Sequence, residues 1–160
     1  MAVGVRDYDV GRNLPDPCCS KFTRYLIMYC YTFQDWITIR GQSTTVSPIT
    51  QSEYRWFDLT PFQDLVAWLE VKEVTTNPNI ALAYQTSPTK DDSLFVALTT
   101  AVTLSTSPSV QVTPMLAATV SNPLARWLRW QITASSGSPW DATFRILVAA
   151  NSPGFQPPGK

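Results

Sequence analysis

Residues 124–151 read LARWLRWQITASSGSPWDATFRILVAAN. Two runs of strict alternation flank a Ser/Gly/Pro break. In the first run, Leu128, Trp130, Ile132 and Ala134 share one face, and Trp127, Arg129, Gln131 and Thr133 share the other. In the second, Ala142, Phe144, Ile146 and Val148 oppose Thr143 and Arg145. A period of two is the signature of a half-buried strand. Closing a hairpin over Ser135–Pro139 sets Trp130 opposite Phe144 and Leu128 opposite Ile146, so the two apolar faces coincide. Aromatic cross-strand pairs of this kind contribute about 0.2–1 kcal/mol each. The same register puts Arg129 opposite Arg145, which is unfavourable. A two-residue slip, an acidic neighbour such as Glu70 or Glu73, or an anionic partner would relieve it, and a slip or an acid is the simplest.

The rest of the chain carries the same rhythm. RYLIMYCYTF (24–33) has Tyr25, Ile27, Tyr29, Tyr31 and Phe33 at every second position, and WITIR (36–40) alternates up to Gly41. QSTTVSPITQS (42–52) reads as a polar loop. In DLVAWLEVKEV, Leu65, Ala67, Leu69 and Val71 share a face, with Trp68, Glu70 and Lys72 opposite. IALAYQT (80–86) and SLFVALTT (93–100) predict further strands. SVQVTPMLAATVS (109–121) predicts a weaker one, which Pro114 confines to an edge or a bulge. Turn signals recur every 8–15 residues or so, and no long amphipathic helix intervenes. This pattern predicts an all-β chain, an antiparallel, jelly-roll-like β-sandwich over residues 22–150. Residues 1–21 read as an extended N-terminal arm, because Leu14-Pro15-Asp16-Pro17 cannot be helical. Residues 151–160 read as a flexible Pro/Gly tail.

Composition narrows the function. Twelve basic and twelve acidic residues cancel, and only 15% of residues are charged, against about 25% in typical domains. No field that would gather nucleic acid is evident, so no nucleic-acid partner is expected. The longest apolar run, Tyr25–Tyr31, is far short of the roughly 20 residues a membrane helix needs, and no membrane association is expected. The N-terminus has no apolar segment of the signal-peptide type. Three Cys, two of them adjacent at 18 and 19, make a poor disulfide framework and suit thiols made in a cytoplasm.

The chain has no His, which removes the commonest general base and metal ligand. Ser-His-Asp and Cys-His arrangements are excluded within it, and three Cys without His do not close an ordinary zinc site. Ser87-Pro88-Thr89-Lys90 has Ser-x-x-Lys spacing but falls in a polar turn rather than at a helix start. Asp91-Asp92 reads as a solvated turn rather than a calcium site. No enzyme activity, cofactor or metal is expected. The residues suited to contacts are Trp127, Arg129, Trp140 and Arg145, since Trp and Arg are enriched at binding hot spots. Tyr8 and Leu14 play the same part in the arm.

DLVAWLEVKEVTTNPNIALAYQTSPTKDDSLFVAL followed by LARWLRWQITASSGSPWDATFRILVAAN resembles the strand plan of small β-sandwich proteins from tailed-bacteriophage particles and gene transfer agents. The resemblance covers residues 58–150. It implies a structural virion component made in the host cytoplasm, such as a head decoration, head-fibre base or neck protein. Its partners would be the major capsid protein or other virion proteins, in a homo-oligomer or multi-copy assembly. The rival expectation is a carbohydrate-binding β-sandwich module for host attachment, with a glycan as ligand.

Overall fold

A computed structural model describes residues 28–42, 48–75, 79–104, 108–134 and 139–152. The expected arm, with Tyr8 and Leu14, lies outside them, as does the tail beyond Ser152. Among the described residues, ten β-strands follow in order: β1 Met28–Gly41, β2 Ile49–Thr50, β3 Phe57–Asp58, β4 Asp64–Thr75, β5 Ile80–Ser87, β6 Val96–Ala97, β7 Val102–Thr103, β8 Ser109–Met115, β9 Trp127–Ala134 and β10 Trp140–Asn151. Short 3-10 turns at Glu53–Arg55 and Asp92–Leu94 precede β3 and β6.

The strands form two sheets, both antiparallel. Sheet A runs β1-β10-β4-β8, and sheet B runs β2-β9-β5-β6. Strand β3 joins β9 on the same side as β2, and β7 joins β5 on the same side as β6. Each of these pairs acts as one interrupted strand, which leaves eight strand positions. Counted along the chain, the first pairs with the eighth, the second with the seventh, the third with the sixth and the fourth with the fifth. The chain is thus a long antiparallel ribbon folded at its middle and rolled on itself, the jelly-roll plan.

This winding overturns the hairpin expected from residues 124–151. Strands β9 and β10 are consecutive but lie in opposite sheets, β9 between β2 and β5, β10 between β1 and β4. Their apolar faces do meet, across the sandwich instead of side by side. Trp130 and Phe144 make an edge-to-face contact with ring centroids 5.4 Å apart.

The inner faces follow the alternation in the sequence. From sheet A come Leu65, Ala67, Leu69 and Val71 of β4, and Ala142, Phe144, Ile146 and Val148 of β10. From sheet B come Ile80, Leu82 and Tyr84 of β5, and Leu128, Trp130 and Ile132 of β9. Two features depart from the sequence reading. The runs at 24–33 and 36–40 give one strand, β1, which absorbs the break between them in register shifts at Thr32/Gln34 and Gln34/Ile37. The strand expected over 93–100 shrinks to two residues. Asp91 Oδ1 accepts from the Ser93 amide at 2.9 Å and its hydroxyl at 2.8 Å. That local bond competes with strand geometry and winds the segment into a turn.

Candidate interaction surface

The outer face of sheet B is covered at its centre. Arg129 points outward from β9 and is nonetheless buried. The two 3-10 turns lay Trp56 and Phe95 over it. Its guanidinium carbon sits 3.8 Å from the Phe95 ring centroid and 5.5 Å from that of Trp56. The two rings meet at 4.7 Å. Arg129 Nε donates to Gln85 Oε1 at 2.8 Å, Gln85 Nε2 donates to Gln131 at 2.9 Å, and Arg129 Nη1 pairs with Asp92. A guanidinium with charge, amide and ring partners is a structural clamp for the turns.

Trp127 lies at the same end of β9 and is half-buried. Lys90 Nζ sits 4.5 Å from its ring centroid and Arg126 Cζ 5.1 Å. Lys90 also approaches Glu53 at 3.8 Å, and Arg126 approaches Asp58 at 3.3 Å. Beside this lies an open cleft of about 610 Å³ lined by Glu53, Trp56, Lys90, Asp91 and Asp92 among others. Hydrogen bonds from the Ser93 hydroxyl and amide hold the Asp91 carboxyl below its ordinary pKa, and the Thr60 hydroxyl and amide do the same for Asp58. Ser87 is buried at the end of β5, accepting from the Thr89 amide at 3.2 Å. Lys90 turns instead to Trp127 and Glu53. Among the described residues, no group of His, Cys, Asp or Glu is placed to hold a metal ion.

The outer face of sheet A is different in kind. The register aligns Thr32, Leu147, Trp68 and Val112 in one row across all four strands, and Cys30, Ala149, Val66 and Pro114 in the next. A third row holds Arg145, Glu70 and Val110. Arg145 grips Glu70 with two bonds, Nε to Oε2 at 2.8 Å and Nη2 to Oε1 at 3.0 Å. Its guanidinium stacks 5.0 Å from the ring centroid of Trp36. On the edge strand, Val110 is 63% and Val112 54% exposed, and Trp36 is 44% exposed. Trp36, Glu70, Lys72 and Val110 line a groove of about 630 Å³ on this face.

The candidate contact residues therefore do not form one site. Trp127 and Arg129 lie on the outside of sheet B, Arg145 on the outside of sheet A. The expected Arg129–Arg145 opposition does not exist, because the two strands are not neighbours. Each arginine has its own acid, Asp92 for Arg129 and Glu70 for Arg145. Trp140 is no surface anchor. It is buried, and its indole packs over the backbone of its ladder partner Gly41. Sequence reasoning missed Trp36, Val110 and Val112, and also Tyr29 and Tyr31, which cluster with Phe57 and Phe62 at centroid distances of 5.2–6.2 Å. Val110 and Val112 were legible as an alternating pair in a strand that Pro114 confines to an edge or a bulge.

No family model matches the chain, and no curated protein matches it in sequence. Some solved structures are similar to it in chain path. One belongs to the Bacillus endospore appendages, disulfide-linked pili, with 10% identity over 85% of this chain and 96% of that chain (TM-score 0.42). Another is the K1 cleaved adhesin domain of Lys-gingipain from Porphyromonas gingivalis W83, with 12% identity over 76% and 97% (TM-score 0.44). A third is a chain of the infectious bursal disease virus Gx strain, with 14% identity over 78% of this chain and 32% of that chain (TM-score 0.43). These are likenesses of chain path, and the side chains described above are this protein's own.

Proposed function

We propose that the protein is a non-enzymatic structural component of a phage-like particle, decorating or linking the capsid or neck through protein–protein contacts. The observation that carries this reading is the outer face of sheet A. Two adjacent rows of its side chains are uncharged and mostly apolar, and they end at the exposed Val112 and Pro114. Val66, Trp68 and Leu147 are half-buried and Ala149 is buried, while Val112 and Pro114 are exposed, so the apolar surface open to a partner lies along the β8 edge. Exposed apolar surface is where interaction sites occur. The jelly-roll plan is used by viral capsid domains, and the resemblance of residues 58–150 to phage-particle proteins points the same way. The arm, with Tyr8 and Leu14, is assigned to contacts with neighbouring subunits. Copurification with particles at a fixed copy number supports the reading, and absence from purified particles overturns it.

One observation favours a second reading, a glycan-binding module for host attachment. Trp56 borders the cleft with Glu53, Asp91 and Asp92, and lectin domains also use jelly rolls. Saturable binding of the purified chain to a soluble glycan, lost in Trp56→Ala, would favour it over the structural role.

A further inference from the structure

We propose that β8 is a self-pairing edge: two copies join β8 to β8 antiparallel about a two-fold axis and fuse their A sheets into one eight-stranded sheet. The inference deepens the assembly reading above and rests on it for its setting in a particle.

Edge strands present unpaired backbone groups, and proteins blunt them with charge, bulges or shortness. Three of the edges in this fold are blunted. Strand β1 carries two register shifts and the charged residues Asp35 and Arg40. The edges of sheet B are the two-residue strands β2, β3, β6 and β7. Strand β8, SVQVTPM, has seven residues, no charge and a continuous register against β4.

Pro114 tells which way the backbone of β8 points. It pairs with Val66 inside the ladder without a register shift, so its missing donor faces the free edge. By the period of two, the N–H and C=O groups of Val112 and Val110 face the same way. A two-fold axis at Val112 sets Val112 against Val112 and Val110 against Pro114 of the other copy. The Val112 pair exchanges two main-chain bonds, and each Val110 amide donates to a Pro114 carbonyl. The faces stay matched, so the row Leu147–Trp68–Val112 runs on into its own mirror in the other copy.

A second copy fits this edge better than the chain's own arm. The arm carries Arg6, Asp7 and Asp9, which would bring charge to an uncharged strand. Two β8 strands bring none, and zero formal net charge leaves no overall repulsion between copies.

The test is sedimentation velocity of the full chain over a concentration series, with thermal unfolding as the folding control. Val112→Lys places charge against charge at the axis, and Val112→Pro removes the two central donors. Each should weaken the dimer by about tenfold or more, with the unfolding midpoint unchanged at concentrations below the dissociation constant, where only the monomer is present. Pro114→Val restores an outward donor and should tighten it several-fold. A chain that stays monomeric, or a dimer indifferent to Val112→Lys, overturns the proposal. A dimer that survives Val112→Lys and is lost on deleting residues 1–21 overturns it in favour of the arm. Dimers that respond to Val112 in a chain absent from particles leave the pairing standing and remove the particle role. A parent chain that stays monomeric at every concentration and is still present in particles at fixed copy number does the reverse.

Discussion

Trp130 of β9 and Phe144 of β10 meet edge to face at 87°, one from each sheet. Trp130 is further tied by its indole N–H, which donates to Gln34 Oε1 at 3.2 Å. The buried Gln51 adds a bridge nearby: its Nε2 donates to the Phe33 carbonyl of β1 at 3.2 Å, and its backbone N–H donates to the Trp130 carbonyl of β9 at 3.0 Å. The two sheets are thus joined by ring packing and by two amide side chains, Gln34 and Gln51.

Trp130→Ala and Phe144→Ala should each cost about 3–5 kcal/mol, as for other buried aromatics. A double-mutant cycle by denaturant unfolding should return a coupling of about 0.5–1.5 kcal/mol for the ring pair. Additive costs would show that the rings do not touch.

Tyr84 lies in the core, and its hydroxyl has no hydrogen-bond partner among the described residues. Burial pushes the pKa of the phenol well above its ordinary value. A buried hydroxyl without a partner carries a desolvation cost of about 1–3 kcal/mol. Tyr84→Phe removes it at constant shape, so the variant should be more stable, by roughly 1 kcal/mol. A loss of stability on calorimetry would mean that the hydroxyl has a partner after all.

Gly41 has no room for a side chain. A methyl group there would overlap the Trp140 indole, which packs over it. Gly41→Ala should therefore cost about 1–3 kcal/mol, as overpacking does, with the near-ultraviolet circular dichroism of Trp140 altered. A variant as stable as the parent would show that the indole can swing away at no cost.

Asp58 and Asp91 should titrate below the ordinary carboxylate range in an NMR pH series, each because its ionised form accepts two bonds from a nearby Thr or Ser. A folded pKa below the unfolded one adds stability that is present above the unfolded pKa and is lost as pH falls through the folded value. Unfolding should therefore become easier on acidification through that window. Thr60→Val and Ser93→Ala should flatten the dependence, and an unchanged acid limb in the double variant would show that other groups set it.

The faces of the strands were legible in the sequence. Period-two alternation assigned Leu65, Leu82, Trp130 and Phe144 to the core, and all four are there. Pro114 confined β8 to an edge or a bulge, and it is an edge. An acid such as Glu70 or Glu73 is one expected relief for the two arginines, and Glu70 is the one that holds Arg145. Alternation says which side of a strand is apolar, and it does not say which strand lies beside it. Strands β9 and β10 show the consequence: Trp130 and Phe144 face each other equally well across a hairpin or across a sandwich. The choice was made by pairings far apart in the chain, β1 with β10 and β2 with β9, whose gain depends on all eight positions closing together. The same long-range closure buried Arg129, because the turns carrying Trp56 and Phe95 come from elsewhere in the sequence. Local chemistry thus determined the strands and their faces, while the assignment of each strand to a sheet, and with it the exposure of Val110, Val112 and Trp36, was decided only by the tertiary winding.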